Sequence, residues 1–165
     1  MTGPIPTHRA KTGAIWVNGL CTYLIVITVG NLVWEMLQLP LYTIWSTGTL
    51  RQQAYAILHC TLGDIIIALT ALGLALVTLG NANWPASRSP QVSGLALICG
   101  LGYTIFSEWL NISVRSAWAY SDWMPIIPIG ELRVGLAPLL QWIIVPAVGF
   151  AFAWGTTFPG VRRAE

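Results

Sequence analysis

Six Asp and Glu side chains and two histidines are all the strong acid–base groups this sequence carries. Three of the carboxyls, Glu35, Asp64 and Glu108, stand inside apolar runs, and His59 stands beside one of them. Placing an ionisable group in lipid costs at least ~2.5–3.5 kcal/mol on insertion scales, so such residues are rare and mark function by default. Amides accompany them. Asn31, Glu35 and Gln38 are spaced by four and three, which puts them on one helix face. Ser107, Glu108 and Asn111 cluster over one turn, Cys60 and Asp64 share a face, and Gln141 follows Pro138 by three residues.

Carboxyls brought together in low dielectric cannot all be ionised without a cation. Three outcomes are chemically sensible. One carboxyl keeps its proton and acts as an acid, with a second carboxylate or His59 as base; a metal ion neutralises the cluster; or the group relays protons or binds a cation for transport. The acid–base outcome suits isomerisation, hydration or cyclisation of an isoprenoid-like lipophilic substrate, with Trp34, Trp109, Trp118 and Trp142 available to face a cationic intermediate. The metal outcome has one membrane histidine and no HExxH or ExxH to support it, and no metal ligand is assigned. Haem held by two histidines lacks the second one. The sequence names no cofactor: GxGxxG, Walker and GxSxG patterns are absent.

The elements that must position these residues are spanning helices. Hydrophobic residues make up 55% of the 165, charged residues 8%, and mean hydropathy is +0.67. A soluble domain carries roughly 25% charged residues, so a charged shell is excluded. The expected fold class is all-α, a polytopic four-helix membrane bundle in one domain, with spans at about 15–39, 55–79, 92–112 and 134–158. The first apolar run runs too long for a signal peptide and lacks a small-x-small cleavage pattern, so it reads as a retained helix. Pro40, the segment from Asn81 to Pro90, and Pro125, Pro128 and Gly130 punctuate the chain. Trp16, Trp45, Trp84, Trp109, Trp118, Trp123 and Trp154 fall near span ends or in connections, as an aromatic belt requires. Ala71/Ala75 and Ala147/Ala151 read as small-xxx-small helix contacts. Cys21, Cys60 and Cys99 read as buried apolar thiols.

Up-down connectivity puts Glu35 and Gln38, His59 and Asp64, Glu108 and Asn111, and Gln141 at one membrane depth. The opposite half of each span is apolar, as in Leu72–Leu79 and Val148–Ala153. One polar site is expected there, covered by the connections 41–54 and 113–133. Arg9, Lys11, Arg88, Arg162 and Arg163 lie on one side, against Arg51, Arg115 and Arg133 on the other. That bias puts both termini in the cytoplasm. The 113–133 connection is too aromatic for a solvated tether and should either lie on the membrane surface or fold back over the bundle.

The expected catalytic set is Glu35, Asp64, Glu108 and His59. The expected substrate-binding set is Asn31, Trp34, Gln38, Asn111, Trp118, Tyr120 and Gln141. The expected partners are the bilayer, a lipophilic small molecule and other membrane subunits; with no basic stripe, nucleic acid is excluded. Two rival readings stand beside an enzyme. One is a non-enzymatic subunit of a membrane complex, binding partner helices, pigment or metal; the other is a small transporter or ion-coupled carrier. A single four-helix chain without an inverted repeat suits transport least.

The motifs Asn31-x-x-Trp34-Glu35-x-x-Gln38-x-Pro40-Leu41-Tyr42, His59-Cys60-x-x-Gly63-Asp64, Glu108-Trp109, Trp118-x-Tyr120 with Met124-Pro125, and Gly135-Leu136-x-Pro138-x-x-Gln141 cover most of the chain. In them the sequence resembles a widespread, uncharacterised family of small four-span bacterial membrane proteins. That resemblance implies the architecture and the positions, not a reaction. The Asn31-x-x-Trp34-Glu35 stretch is also similar to one in integral-membrane terpene cyclases, which implies isoprenoid chemistry ahead of other acid–base reactions.

Overall fold

The computed structural model describes residues 8–156. The side chains of Arg9 and Lys11, together with Arg162, Arg163 and the expected span end at Phe158, lie outside that description. Four helices are long and apolar enough to cross a membrane. They are α1 (His8–Gln38), α3 (Leu50–Leu79), α4 (Ser89–Glu108) and α5 (Leu136–Gly155), with a short α2 (Ile44–Thr47) between the first two. α1 packs on α3, α3 on α4, α4 on α5 and α5 on α1, so the bundle is a closed four-cornered ring.

The expected boundaries shift for local reasons. α3 begins five residues before the expected Tyr55, because Thr49 and Gln52 form a reciprocal capping box that starts the helix at Leu50. α4 begins at Ser89 with Pro90 in its first turn, where the missing N–H is harmless. It runs on as a π-helical turn, Trp109–Val114. α5 begins at Leu136 because the residues before it are in a sheet, and Pro146 sits inside α5 without ending it.

The all-α expectation therefore holds only in part. β1 (Ile126–Ile129) and β2 (Leu132–Gly135) form an antiparallel hairpin with Ile126 opposite Gly135 and Ile129 opposite Leu132. Gly130 turns it at φ +61°, a left-handed conformation that suits glycine. Pro125 and Pro128, which break a helix, are compatible with a two-stranded edge.

Each long helix contributes a narrow buried stripe. On α1 it is Tyr23, Ile27, Asn31, Glu35 and Gln38; on α4 it is Val92, Ala96, Gly100, Thr104 and Glu108. Both stripes change from apolar to polar at one level, as does Ala75–Ala68–Asp64 read backwards along α3. The apolar half is the core: Tyr23 meets Phe150 with ring centroids 4.6 Å apart, and Leu72, Ala75, Val92 and Ala153 close around them. The outer faces carry exposed apolar residues such as Leu62, Ile66, Val77 and Ile98.

Three smaller expectations are corrected. Trp84 does lie in a connection, between α3 and α4, but it is fully buried, edge-on to Trp16, rather than displayed toward lipid. Ala71 and Ala75 do face the bundle interior, but Ala147 and Ala151 face outward; Gly149 and Ala153 are the small residues at that contact. Cys21 is exposed on the outer face of α1 rather than buried.

Candidate functional site

Gln141 on α5 is 2% exposed and sits at the centre of the polar end. Its side-chain amide nitrogen donates to Asn31 Oδ1 (3.0 Å), Glu35 Oε1 (3.1 Å) and Asp64 Oδ2 (2.8 Å). Gln38 donates from Nε2 to Glu35 Oε1 (2.8 Å) and to Gln141 Oε1 (3.2 Å). Three helices, α1, α3 and α5, thus meet through one amide. An amide NH₂ has two hydrogens, and here it faces three acceptors. The Glu35 and Asp64 carboxyls thus approach the same amide nitrogen from different helices, and two carboxyls that close cannot both be ionised without a cation. Trp142, one residue on from Gln141, presents its indole N–H to Asp64.

Glu108 belongs to a neighbouring cluster. Its carboxylate accepts from the Tyr120 hydroxyl, which also accepts from the Gly135 backbone N–H at 2.8 Å. The Trp118 indole lies near Glu108 but its buried N–H closes no hydrogen bond of ordinary geometry. Tyr120 is held over the bundle end by the connection that carries it. Tyr42 and Tyr120 form an isolated antiparallel bridge, Ser121 N–H donates to Leu41 C=O (2.9 Å), and Thr43 N–H donates to Ala119 C=O (3.0 Å). The 113–133 connection does fold back over the bundle. Burial, reinforced by the Glu108 charge, pushes the Tyr42 and Tyr120 phenols above the ordinary tyrosine range.

The three carboxyls, with Gln38, Tyr42 and Gln141, line a cavity of about 920 Å³ between the four helices. Glu35, Gln38, Asp64, Gln141 and Trp142 lie deep, and Glu108, Asn111 and Trp118 form one wall. Tyr55 and Tyr103 line it too and are 68% and 48% exposed, so the cavity opens between α3 and α4. Gly63 borders it, and a Cβ there would meet nothing within 4 Å; the space beside Asp64 is open, not filled by a helix. Gln38 Oε1 is buried without a hydrogen-bond partner, an acceptor left over at the cavity floor.

The structure brings most of the expected residues to the cavity wall; of the expected sets, Asn31, Trp34 and Tyr120 do not line it, Tyr120 bordering a separate hollow with Ser121 and Asp122. His59 lines the cavity but is exposed, stacked on Tyr55 (centroids 5.5 Å, planes 14° apart), and makes no hydrogen bond to a carboxyl. One step along α3 separates it from the buried face that carries Asp64. Trp34 packs against the apolar core rather than the cavity. Trp109 turns outward beside Phe106. Asn111 lines the cavity while donating to Ser107 C=O and Oγ. Asn31 supports the network from beneath. Among the described residues no three His, Cys, Asp or Glu side chains converge as metal ligands, and none of the three carboxyls has an Arg or Lys ion-pair partner.

Sequence reasoning named Trp142 only as a ring that could face a cation, and did not select Tyr42, Arg51 or Arg115 as site residues. Trp142 was legible from its place beside Gln141. The arginines were not, because only the fold shows that α3's first turn and the π-turn end at one cavity mouth. No protein-family model, no curated protein and no solved structure matches the chain.

Proposed function

We propose that the protein is an integral membrane enzyme of bacterial inner-membrane type that performs acid–base chemistry on a lipophilic, isoprenoid-like substrate. The observation that carries this reading is the carboxyl pair: Glu35 and Asp64, from different helices, meet at one Gln141 nitrogen at the floor of an open cavity, with no cationic side chain beside them among the described residues, so one of the two keeps its proton. The apolar outer faces and four long helices support insertion. The termini and the 80–88 connection then face the cytoplasm, and the cavity sits in the opposite leaflet.

In this reading the proton kept by the Glu35–Asp64 pair passes to a substrate carbon–carbon double bond, and the electron pair of that bond forms the new C–H bond. The cation left on the neighbouring carbon faces the rings of Trp118 and Trp142. A carboxylate then removes a proton from an adjacent carbon, and its C–H pair becomes the new double bond. The sum is an isomerisation, or a cyclisation when a second double bond traps the cation, with no oxidant or reductant. Gln141 and Gln38 keep the pair in place through both protonation states.

The test is a comparison of total lipid extracts from cells carrying the wild-type chain, Asp64→Asn or Glu35→Gln at matched protein levels. One isoprenoid species should accumulate and another disappear in both variants. Unchanged extracts together with a membrane protein that co-purifies with wild type and is lost from the variants would replace the enzyme with a complex subunit.

A further inference from the structure

From two arginines at the cavity mouth that have no carboxylate partner among the described residues we infer a headgroup site: the ligand is an amphiphile whose phosphate is held by Arg51 and Arg115 while its apolar chain runs inward to the carboxyl pair. This deepens the reading above and rests on it. Arg51 lies in the first turn of α3 and Arg115 ends the π-turn after α4, yet both line the one cavity. Among the described residues neither side chain has a carboxylate partner or a hydrogen bond. Two guanidiniums without counter-charge at a cavity mouth fit the chemistry of a phosphate, which takes forked N–H donors.

Both positions are fixed by backbone. The Thr49–Gln52 capping box and three bonds from Gln53 Nε2 to the Ile44, Trp45 and Gly48 carbonyls hold the start of α3. Arg115 N–H donates to Leu110 C=O at 2.8 Å, and Ser116 then takes a left-handed φ of 50°, rare for a serine, to close the turn. π-turns of this kind recur at functional sites. Arg51 and Asp64 are thirteen positions apart on α3, about 20 Å at ~1.5 Å per residue. Cavity-lining residues recur along that whole length, through Tyr55, Cys60 and Gly63. The cavity is therefore long, charged at its mouth and acid at its floor, which suits a headgroup followed by a chain. Arginines on the non-cytoplasmic side also run against the positive-inside tendency. The third arginine there, Arg133, lines a different hollow with Asp122 and Glu131.

The experiment measures binding, not turnover. Full-length protein in phosphatidylcholine nanodiscs is titrated with hexadecyl phosphate, hexadecanol and inorganic phosphate, and bound species are counted by native mass spectrometry. Hexadecyl phosphate should bind at least ~10-fold more tightly than hexadecanol, the margin expected of charge-assisted hydrogen bonds. Arg51→Gln with Arg115→Gln should erase that margin, the paired Lys replacements should restore part of it, and Arg133→Gln should leave it intact. Equal binding of phosphate and alcohol overturns the inference, as does a margin that survives the double Gln variant with an unchanged melting temperature. Inorganic phosphate binding as tightly as hexadecyl phosphate overturns the amphiphile and leaves a free-anion site. Because Asp64→Asn plays no part here, a failed headgroup site and a failed carboxyl pair are read in separate experiments.

Discussion

Gln141 carries more of the site than any carboxyl does. It is the one side chain that touches Asn31, Glu35, Gln38 and Asp64, so its loss takes a hydrogen bond from four buried polar groups at once. A buried group left without its partner costs about 1–3 kcal/mol, and more when charged. Gln141→Leu should therefore lower stability by roughly 3 kcal/mol or more, read as a fall in thermal midpoint in detergent. An unchanged midpoint would show that the network is dispensable. Tyr120 behaves differently because it titrates. Its phenol is held above the ordinary value, so above ~pH 10 the unfolded chain gives up a proton that the folded chain keeps. Tyr120's contribution to stability should be constant below ~pH 10 and lost above it, so Tyr120→Phe should make the alkaline fall shallower, Tyr42 supplying the part that remains, while losing the Glu108 bond. An alkaline limb of the same slope in both proteins would refute the linkage.

At the scale of elements, two glycines have opposite meanings. Gly100 lies where α4 meets α5: an added Cβ would stand 2.2 Å from Trp142 Cε3. Gly100→Ala must push Trp142, and with it the indole that faces Asp64. A loss of about 1–3 kcal/mol is expected from overpacking, with a changed near-ultraviolet tryptophan signal. Gly63 sits in an equally regular helix, but its missing side chain borders empty space. Gly63→Ala should be neutral or stabilise α3 by up to ~1 kcal/mol, since alanine is the better helix former. It should nonetheless impair ligand binding, because its methyl enters the cavity beside Asp64. A destabilised Gly63→Ala protein would mean that the cavity is filled by protein. The covering elements also have separate tasks: loop 39–49 fixes the start of α3, while the 115–125 strand-like return brings Tyr120 to Glu108 and Gly135.

For the molecule as a whole, the closed ring of helices sets both shape and polarity. Trp16, Gly19, Pro85 and Ala153 come together at one end, so the start of α1, the 80–88 connection and the end of α5 share a side. The cavity is at the other end. Reporter fusions to either terminus should report the cytoplasm, and a maleimide probe that cannot cross membranes should label a cysteine introduced at exposed Trp123 from the outside only. Labelling from the inside alone would invert the topology and move the proposed headgroup site to the cytoplasmic leaflet.

Much of this was present in the sequence because hydropathy and helical periodicity are local properties. Four apolar runs of sufficient length specify four helices, and the four-and-three spacing of Asn31, Glu35 and Gln38 specifies one face. Alternating direction then brings all the polar ends to one level. Local pattern was blind to what depends on rotation and on partners. His59 and Asp64 are five positions apart, and only the packing of α3 decided that Asp64 turns inward and His59 to the rim. Trp34 and Trp142 look alike in sequence, but one lies half-buried against the outside of the core and the other is buried in it and faces a carboxyl. The hairpin replaced an expected irregular stretch because its strands pair with each other, an interaction that helical periodicity does not register. Above all, the convergence of Glu35 and Asp64 on a single amide from a third helix, and of two distant arginines on one cavity mouth, follows from side-chain contacts across a closed ring, which exist only once the helices have packed.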